Sequence, residues 1–130
     1  MKRFLRAWAP ALLYAAVLFV LSAQEALPAP PDIPAFDKLE HLAAYALLGV
    51  LLARGGTRWP VATAWVLALG IVYGASDEIH QAFVPGRSPG VGDWLADAAG
   101  VVAGVYLYTM WHARRRPPVA VPRGADLQRT

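Results

Sequence analysis

Cysteine is absent from this 130-residue chain, so disulfides and thiolate chemistry are excluded, and cysteine usage says nothing of the redox compartment. Charge is scarce as well: 16% of residues are Asp, Glu, Lys or Arg, against roughly 25% in a soluble domain. There is no Gly-rich phosphate loop, no zinc-finger spacing and no RNA-binding motif. Ser76 and Ser88 lack the strand–turn–helix setting that makes a serine a nucleophile. What the chain has instead is apolar length, with 57% hydrophobic residues and a mean hydropathy of +0.39. Its net charge of +3 does not point to nucleic acid, because the basic residues fall in the loops and tails between apolar runs.

Four such runs predict an all-α fold, a polytopic four-helix transmembrane bundle. The spans cover about 8–23, 36–53, 60–84 and 93–111. At about 1.5 Å per residue, 18 residues cover roughly 27 Å, close to the roughly 30 Å of a hydrocarbon core. Pro28, Pro30, Pro31 and Pro34 break the first gap, Gly55-Gly56-Thr57 the second, and Pro85-Gly86 with Ser88-Pro89-Gly90 the third. Pro60 suits the first turn of a helix. Residues 1–112 read as one membrane domain and 113–130 as a basic, disordered cytoplasmic tail. A cleaved signal peptide is the rival reading of the first run, but Leu21 is a poor match three residues before a cut after Ala23, and the anchor reading is preferred. Trp8, Trp59, Trp94 and Trp111 read as interfacial anchors.

Orientation follows from the cations. Lys2, Arg3, Arg6, Arg54, Arg58, Arg114, Arg115, Arg116, Arg123 and Arg129 lie on one side of a four-span arrangement, and only Lys38 and Arg87 on the other. That asymmetry predicts both termini in the cytoplasm. Of the nine acids only Asp126 falls with the cytoplasmic group, so the polar chemistry belongs to the outer face.

Helical periodicity places these groups on stripes. Asp37, His41 and Tyr45 are spaced i, i+4, i+8; Tyr73, Asp77, His80 and Gln81 share a second stripe, with Glu78 turned about 100° from Asp77; Asp93, Asp97, Gly100 and Gly104 share a third. His41 and Asp97 each fall roughly 6 Å inside their helix starts, and Asp77 roughly 10 Å inside Val84. Three helices thus offer polar groups at similar depth, and facing one another spares them hydrocarbon. Asp77, Glu78, His41, His80, Asp37 and Asp97 are the candidate acid–base groups, since a carboxylate beside a histidine sets its tautomer. Lys38 and Arg87, with Tyr45, Gln81 and Asp93, are candidates for holding a ligand, Arg87 by a bidentate phosphate contact. Asp37, His41, Asp77 and His80 have spacings that suit a divalent metal. The plainer alternatives are an ion network that only holds the bundle together, helix-dipole partners at Asp37 and Glu40, an N-cap at Asp93, and close packing at Gly100 and Gly104.

Three segments taken together resemble the VanZ-like membrane proteins: Asp37-Lys38-x-x-His41-x-x-x-Tyr45-x-x-Leu48-Gly49; Tyr73-Gly74-x-x-Asp77-Glu78-x-His80-Gln81-x-Phe83-Val84-Pro85-Gly86-Arg87; and Asp93-Trp94-x-x-Asp97-x-x-Gly100. Ser22 also fits. The resemblance implies a multi-pass protein of the bacterial inner membrane, linked through its namesake to teicoplanin resistance, and implies no particular reaction. The expectation is a site on the extracytoplasmic side that binds or acts on an anionic lipid or a lipid-linked envelope precursor. A membrane-embedded hydrolase or transferase, with or without a divalent metal, is the alternative. A transporter fits less well, as no inverted repeat or midplane polar group is present.

Overall fold

The computed structural model describes residues 1–25 and 36–115. The proline-rich gap and the tail beyond residue 115 lie outside the described residues. Four helices follow one another: α1 (Lys2–Ser22), α2 (Phe36–Arg58), α3 (Thr63–Gln81) and α4 (Val91–Arg114). No strand occurs among the described residues. By length and composition α1 is apolar enough to cross a membrane, and among the described residues it alone passes that test. The other three are interrupted by charged side chains, α2 and α4 towards both ends and α3 at Asp77 and Glu78.

The helices alternate in direction. The start of α1 meets the end of α2, where the Trp8 ring packs on Gly55 and Phe4 sets its ring edge-on to Trp59 at 5.7 Å. The hydroxyl of Tyr14 donates to the Ala44 carbonyl (3.2 Å), and that of Tyr73 to the Ala15 carbonyl (2.6 Å), tying α1 to α2 and α3. α2 and α4 run parallel and form the most extensive interface. It is built on absent side chains: a Cβ on Gly104 would fall on the Ala46 carbonyl, and one on Gly100 on the Leu42 carbonyl. On the facing helix, a Cβ on Gly49 would meet the Val101 carbonyl. Backbones can approach this closely only where nothing projects between them. Leu48, Leu52, Val101 and Val105 fill the core around this contact.

Three local expectations change. Gly55-Gly56 does not break α2, which runs on to Arg58. Each glycine lies against a large neighbour, Gly55 under the Trp8 ring and Gly56 under Val66, so packing offsets the roughly 1 kcal/mol that glycine costs in a helix. Pro60 falls in the turn that follows, closed by the Val61 amide donating to the Gly56 carbonyl (3.1 Å), and α3 begins only at Thr63. Asp93 lies in the first turn of α4 with Gly90 at the cap. The tryptophans also divide: Trp8 is buried and the Trp94 indole donates to the Ile71 carbonyl (3.2 Å), whereas Trp59 and Trp111 are about half exposed.

The loop after α3 is a tight turn. The Arg87 amide donates to the Val84 carbonyl (3.2 Å) across Pro85-Gly86, and Gly86 has φ 77°, the sign that the third position of a type II turn demands. That turn sends Arg87 back towards the end of α3. The outer surface is apolar over most of its length, with Leu13, Trp65, Val72 and Leu107 all exposed.

Substituting Gly104 by leucine should separate α2 from α4. Overpacking costs about 1–3 kcal/mol in a yielding core and more against backbone, so the detergent-solubilised variant should unfold at a clearly lower temperature by circular dichroism. Gly92→Ala, beside the flexible end of Lys38, should change little.

Candidate functional site

The starts of α2 and α4 and the end of α3 meet at one end of the bundle, and there the scarce charges collect. Asp37 and Asp93 occupy the first turns of α2 and α4, where a carboxylate faces the positive end of the helix dipole. Lys38 bridges the two helices, its Nζ 2.7 Å from Asp93 Oδ1. One turn deeper, His41 Nδ1 lies 2.8 Å from Oδ1 of Asp97, a side chain with no solvent exposure. This pair repeats the Lys38–Asp93 spacing one turn on, as parallel helices in contact require.

Glu78 reaches the same place from α3. Its Oε1 lies 4.0 Å from His41 Nδ1, while its Oε2 accepts the Gly90 amide (2.9 Å) and so fastens the cap of α4 to α3. Gly74, one turn earlier on α3, leaves room for Asp97 and the Tyr45 ring. Asp77 faces the other way, as its 100° offset from Glu78 requires. Its Oδ2 accepts from the Tyr45 hydroxyl (3.0 Å) and from Gln81 Nε2 (3.3 Å). Gln81 Oε1 in turn accepts from Arg87 Nε (3.2 Å) and Nη2 (2.7 Å). A hydrogen-bonded line thus runs Tyr45–Asp77–Gln81–Arg87, from the core to the loop.

An open cleft of about 160 Å³ lies between α1, α2 and the end of α3. Leu18, Leu21 and Ser22 form its α1 wall, with Asp37, Glu40, His41, Tyr45, Asp77, Gln81 and Arg87 opposite. Pockets for drug-sized ligands run to roughly 300–1,000 Å³, so this one admits a head group and not a whole lipid-linked sugar or glycopeptide. It holds three carboxyl groups, Asp37, Glu40 and Asp77, against the guanidinium of Arg87.

The sequence-predicted residues separate into two groups in space. Asp37, His41, Tyr45, Asp77, Gln81 and Arg87 line the cleft, whereas Glu78, Asp93 and Asp97 lie on the α4 side of His41. His80 joins neither. Its ring stacks on Phe19 of α1 at 4.4 Å, because the three residues from Asp77 to His80 leave it about 60° off the stripe, on the side where α1 packs. Of the four metal ligands expected from spacing, Asp37 and His41 are brought together, with Asp93, while Asp77 and His80 enter no such group. A second group, His41, Glu78 and Asp97, also has its ligand atoms within 4.8 Å of one another. Sequence periodicity missed Glu40 and the α1 wall. Glu40 is one residue from His41 and looked like a plain dipole partner; Leu18 and Leu21 carried no polar signal.

A family model described as VanZ/LLP1 matches residues 3–112, all four helices apart from their outermost residues. No curated protein and no solved structure matches the chain.

Tyr45→Phe should leave the helices in place yet destabilise the bundle. It removes the stronger of the two bonds to buried Asp77 Oδ2, and Oδ1 of that carboxylate has no partner already. Losing a hydrogen bond to a carboxylate costs about 1.5–3 kcal/mol, readable as a fall in unfolding temperature with unchanged helical signal.

Proposed function

The chain belongs to the VanZ/LLP1 family, and on that footing we propose that it is a four-span membrane protein whose outward-facing cleft binds a lipid or lipid-linked envelope component by its head group. Four things support the spanning arrangement: the composition of α1, the apolar side chains exposed on α3 and α4, the alternating helix directions, and the position of seven of the nine cations among the described residues at the helix ends away from the polar end. Both termini are then cytoplasmic, and the cleft opens at the outer surface of the bacterial inner membrane.

The charge of the cleft carries the ligand assignment. Arg87 is held in place by Gln81 with two of its five donors engaged, which leaves others for a phosphate oxygen. A bare anion would meet Asp37, Glu40 and Asp77 as well, and like charges at close range repel. A head group bearing both a phosphate and a primary ammonium satisfies both sides, the phosphate at Arg87 and the N–H donors of the ammonium at Asp37 and Glu40. Acyl chains would lie against Leu18 and Leu21 on α1.

A second reading has its own observation. His41 lines the cleft while the fully buried Asp97 holds its Nδ1, the geometry of an oriented general base. On that reading the protein is a hydrolase or transferase acting on the same head group, and turnover of a bound lipid separates it from binding alone.

Two outcomes are expected. Since the chain has no cysteine, a single introduced thiol is unique: Ser88→Cys should react with a membrane-impermeant maleimide on intact cells, and Arg123→Cys only after lysis. The reverse pattern inverts the topology. Protein purified with native lipid should retain phosphatidylethanolamine over phosphatidylglycerol and phosphatidylcholine in native mass spectrometry. Arg87→Ala should weaken that retention roughly tenfold or more, the equivalent of about 1.5–3 kcal/mol for a charged hydrogen bond. Equal retention of all three lipids, unchanged in Arg87→Ala, removes the head-group reading.

A further inference from the structure

The inner group on the α4 side of His41 is not explained by head-group binding. Glu78 and Asp97 are two buried carboxylates, 9% and 0% exposed, and among the described residues neither has a lysine or arginine within salt-bridge distance. Lys38, the nearest cation along α2, is engaged by Asp93. One oxygen of each, Glu78 Oε1 and Asp97 Oδ2, is buried with no hydrogen-bond partner. Buried carboxylates are ordinarily paired or bound to a metal, because desolvating an uncompensated charge is costly. A single histidine against two carboxylates leaves net negative charge whichever way it is protonated.

We propose that His41, Glu78 and Asp97 form a binding site for one divalent transition ion such as Zn²⁺. The donor atoms already lie close to what an ion needs. His41 Nδ1 is 2.8 Å from Asp97 Oδ1 and 4.0 Å from Glu78 Oε1, and the three ligand atoms lie within 4.8 Å of one another. Bonds of about 2.0–2.1 Å in a tetrahedral site set its ligand atoms roughly 3.3 Å apart, between the two measured separations, so small side-chain rotations close the site. Two carboxylates neutralise a 2+ ion, and the imidazole favours zinc-like ions over magnesium and calcium. Three protein ligands leave one position open, the arrangement of a zinc that binds water or substrate. The site is held from outside as well: the Gly90 amide fixes Glu78 Oε2, and the glycine contact between α2 and α4 sets the distance from His41 to Asp97. His41 also lines the cleft, so the ion lies beside any head group there, yet the site stands on its own residues whatever the cleft holds.

The test uses full-length protein in detergent, stripped with chelator and titrated with Zn²⁺ in the absence of added lipid. One ion per chain by elemental analysis, with a raised unfolding temperature, is expected. Glu78→Gln and Asp97→Asn should each weaken binding by at least about tenfold, as loss of a ligand must when even its outer partners are worth about 10–100-fold. Asp37→Asn and Glu40→Gln, which alter the cleft but not this trio, should bind as wild type. Helical content and gel-filtration profile establish that each variant is folded. Wild type also serves alone: bound Co²⁺ should show the strong visible bands of a low-coordinate site and lose them when Zn²⁺ displaces it. Folded wild-type protein that takes up no ion overturns the proposal. So does binding that survives Glu78→Gln, or that is lost with Asp37→Asn but not with Glu78→Gln, which would move the ion to the Asp37–His41–Asp93 group. Because lipid is left out, failure here does not touch the head-group reading, and failure of lipid retention does not touch this site.

Discussion

The backbone approach of α2 to α4 is the constraint on which the rest of this protein depends. Gly49, Gly100 and Gly104 remove the side chains that would hold the helices apart, and the Leu42 and Ala46 carbonyls lie where Cβ atoms would be. Parallel helices this close repeat their contacts turn by turn. The same register that interlocks the glycines sets Lys38 opposite Asp93 and His41 opposite Asp97. A packing device in the middle of the bundle thereby sets the geometry of a polar site at its end. In a chain with few charges, that is an economical way to hold two carboxylates and a histidine together.

α3 supplies the division of labour. Asp77 and Glu78 are neighbours in sequence, but a helix turns them about 100° apart, so one serves each side of the site. Asp77 joins Tyr45 and Gln81 on the cleft side, and the line ends at Arg87, returned by the Pro85-Gly86 turn. Glu78 turns to His41 and to the cap of α4. His41 belongs to both sides, with its ring at the cleft and its Nδ1 on Asp97. Any event at the cleft is therefore one side chain away from the buried carboxylates.

Much of the outline was legible in the sequence. Four apolar runs divided by proline and glycine marked four helices, and all four form, with ends shifted by a few residues because capping and packing set helix ends. The Gly55-Gly56 pair breaks no helix because Trp8 covers Gly55 and Val66 covers Gly56, and Trp8 lies 47 residues earlier in the chain. Polar stripes at i, i+4 correctly put Asp37, His41 and Tyr45 on one face. His80 shows where periodicity stops: it shares an approximate stripe with Asp77, yet Phe19 of α1 takes its ring. Glu40 shows the converse, a cleft residue hidden among ordinary first-turn acids.

The features legible along the chain are therefore local: helices where apolar residues run unbroken, charge concentrated at the ends of those runs, and which side chains share a helix face. Those follow from the 3.6-residue period and from the cost of burying charge, and both act within one segment. Which stripe meets which depends on how the helices pack. Glycine spacing permits a close contact without naming the partner helix, and α2 packs mainly on α4, with contacts 55 and 56 residues apart in the chain, rather than on its neighbours α1 and α3. That choice paired His41 with Asp97, turned Glu78 towards them and left His80 aside. The physical reason is that backbone proximity is a property of two surfaces fitted together, and neither surface carries it alone.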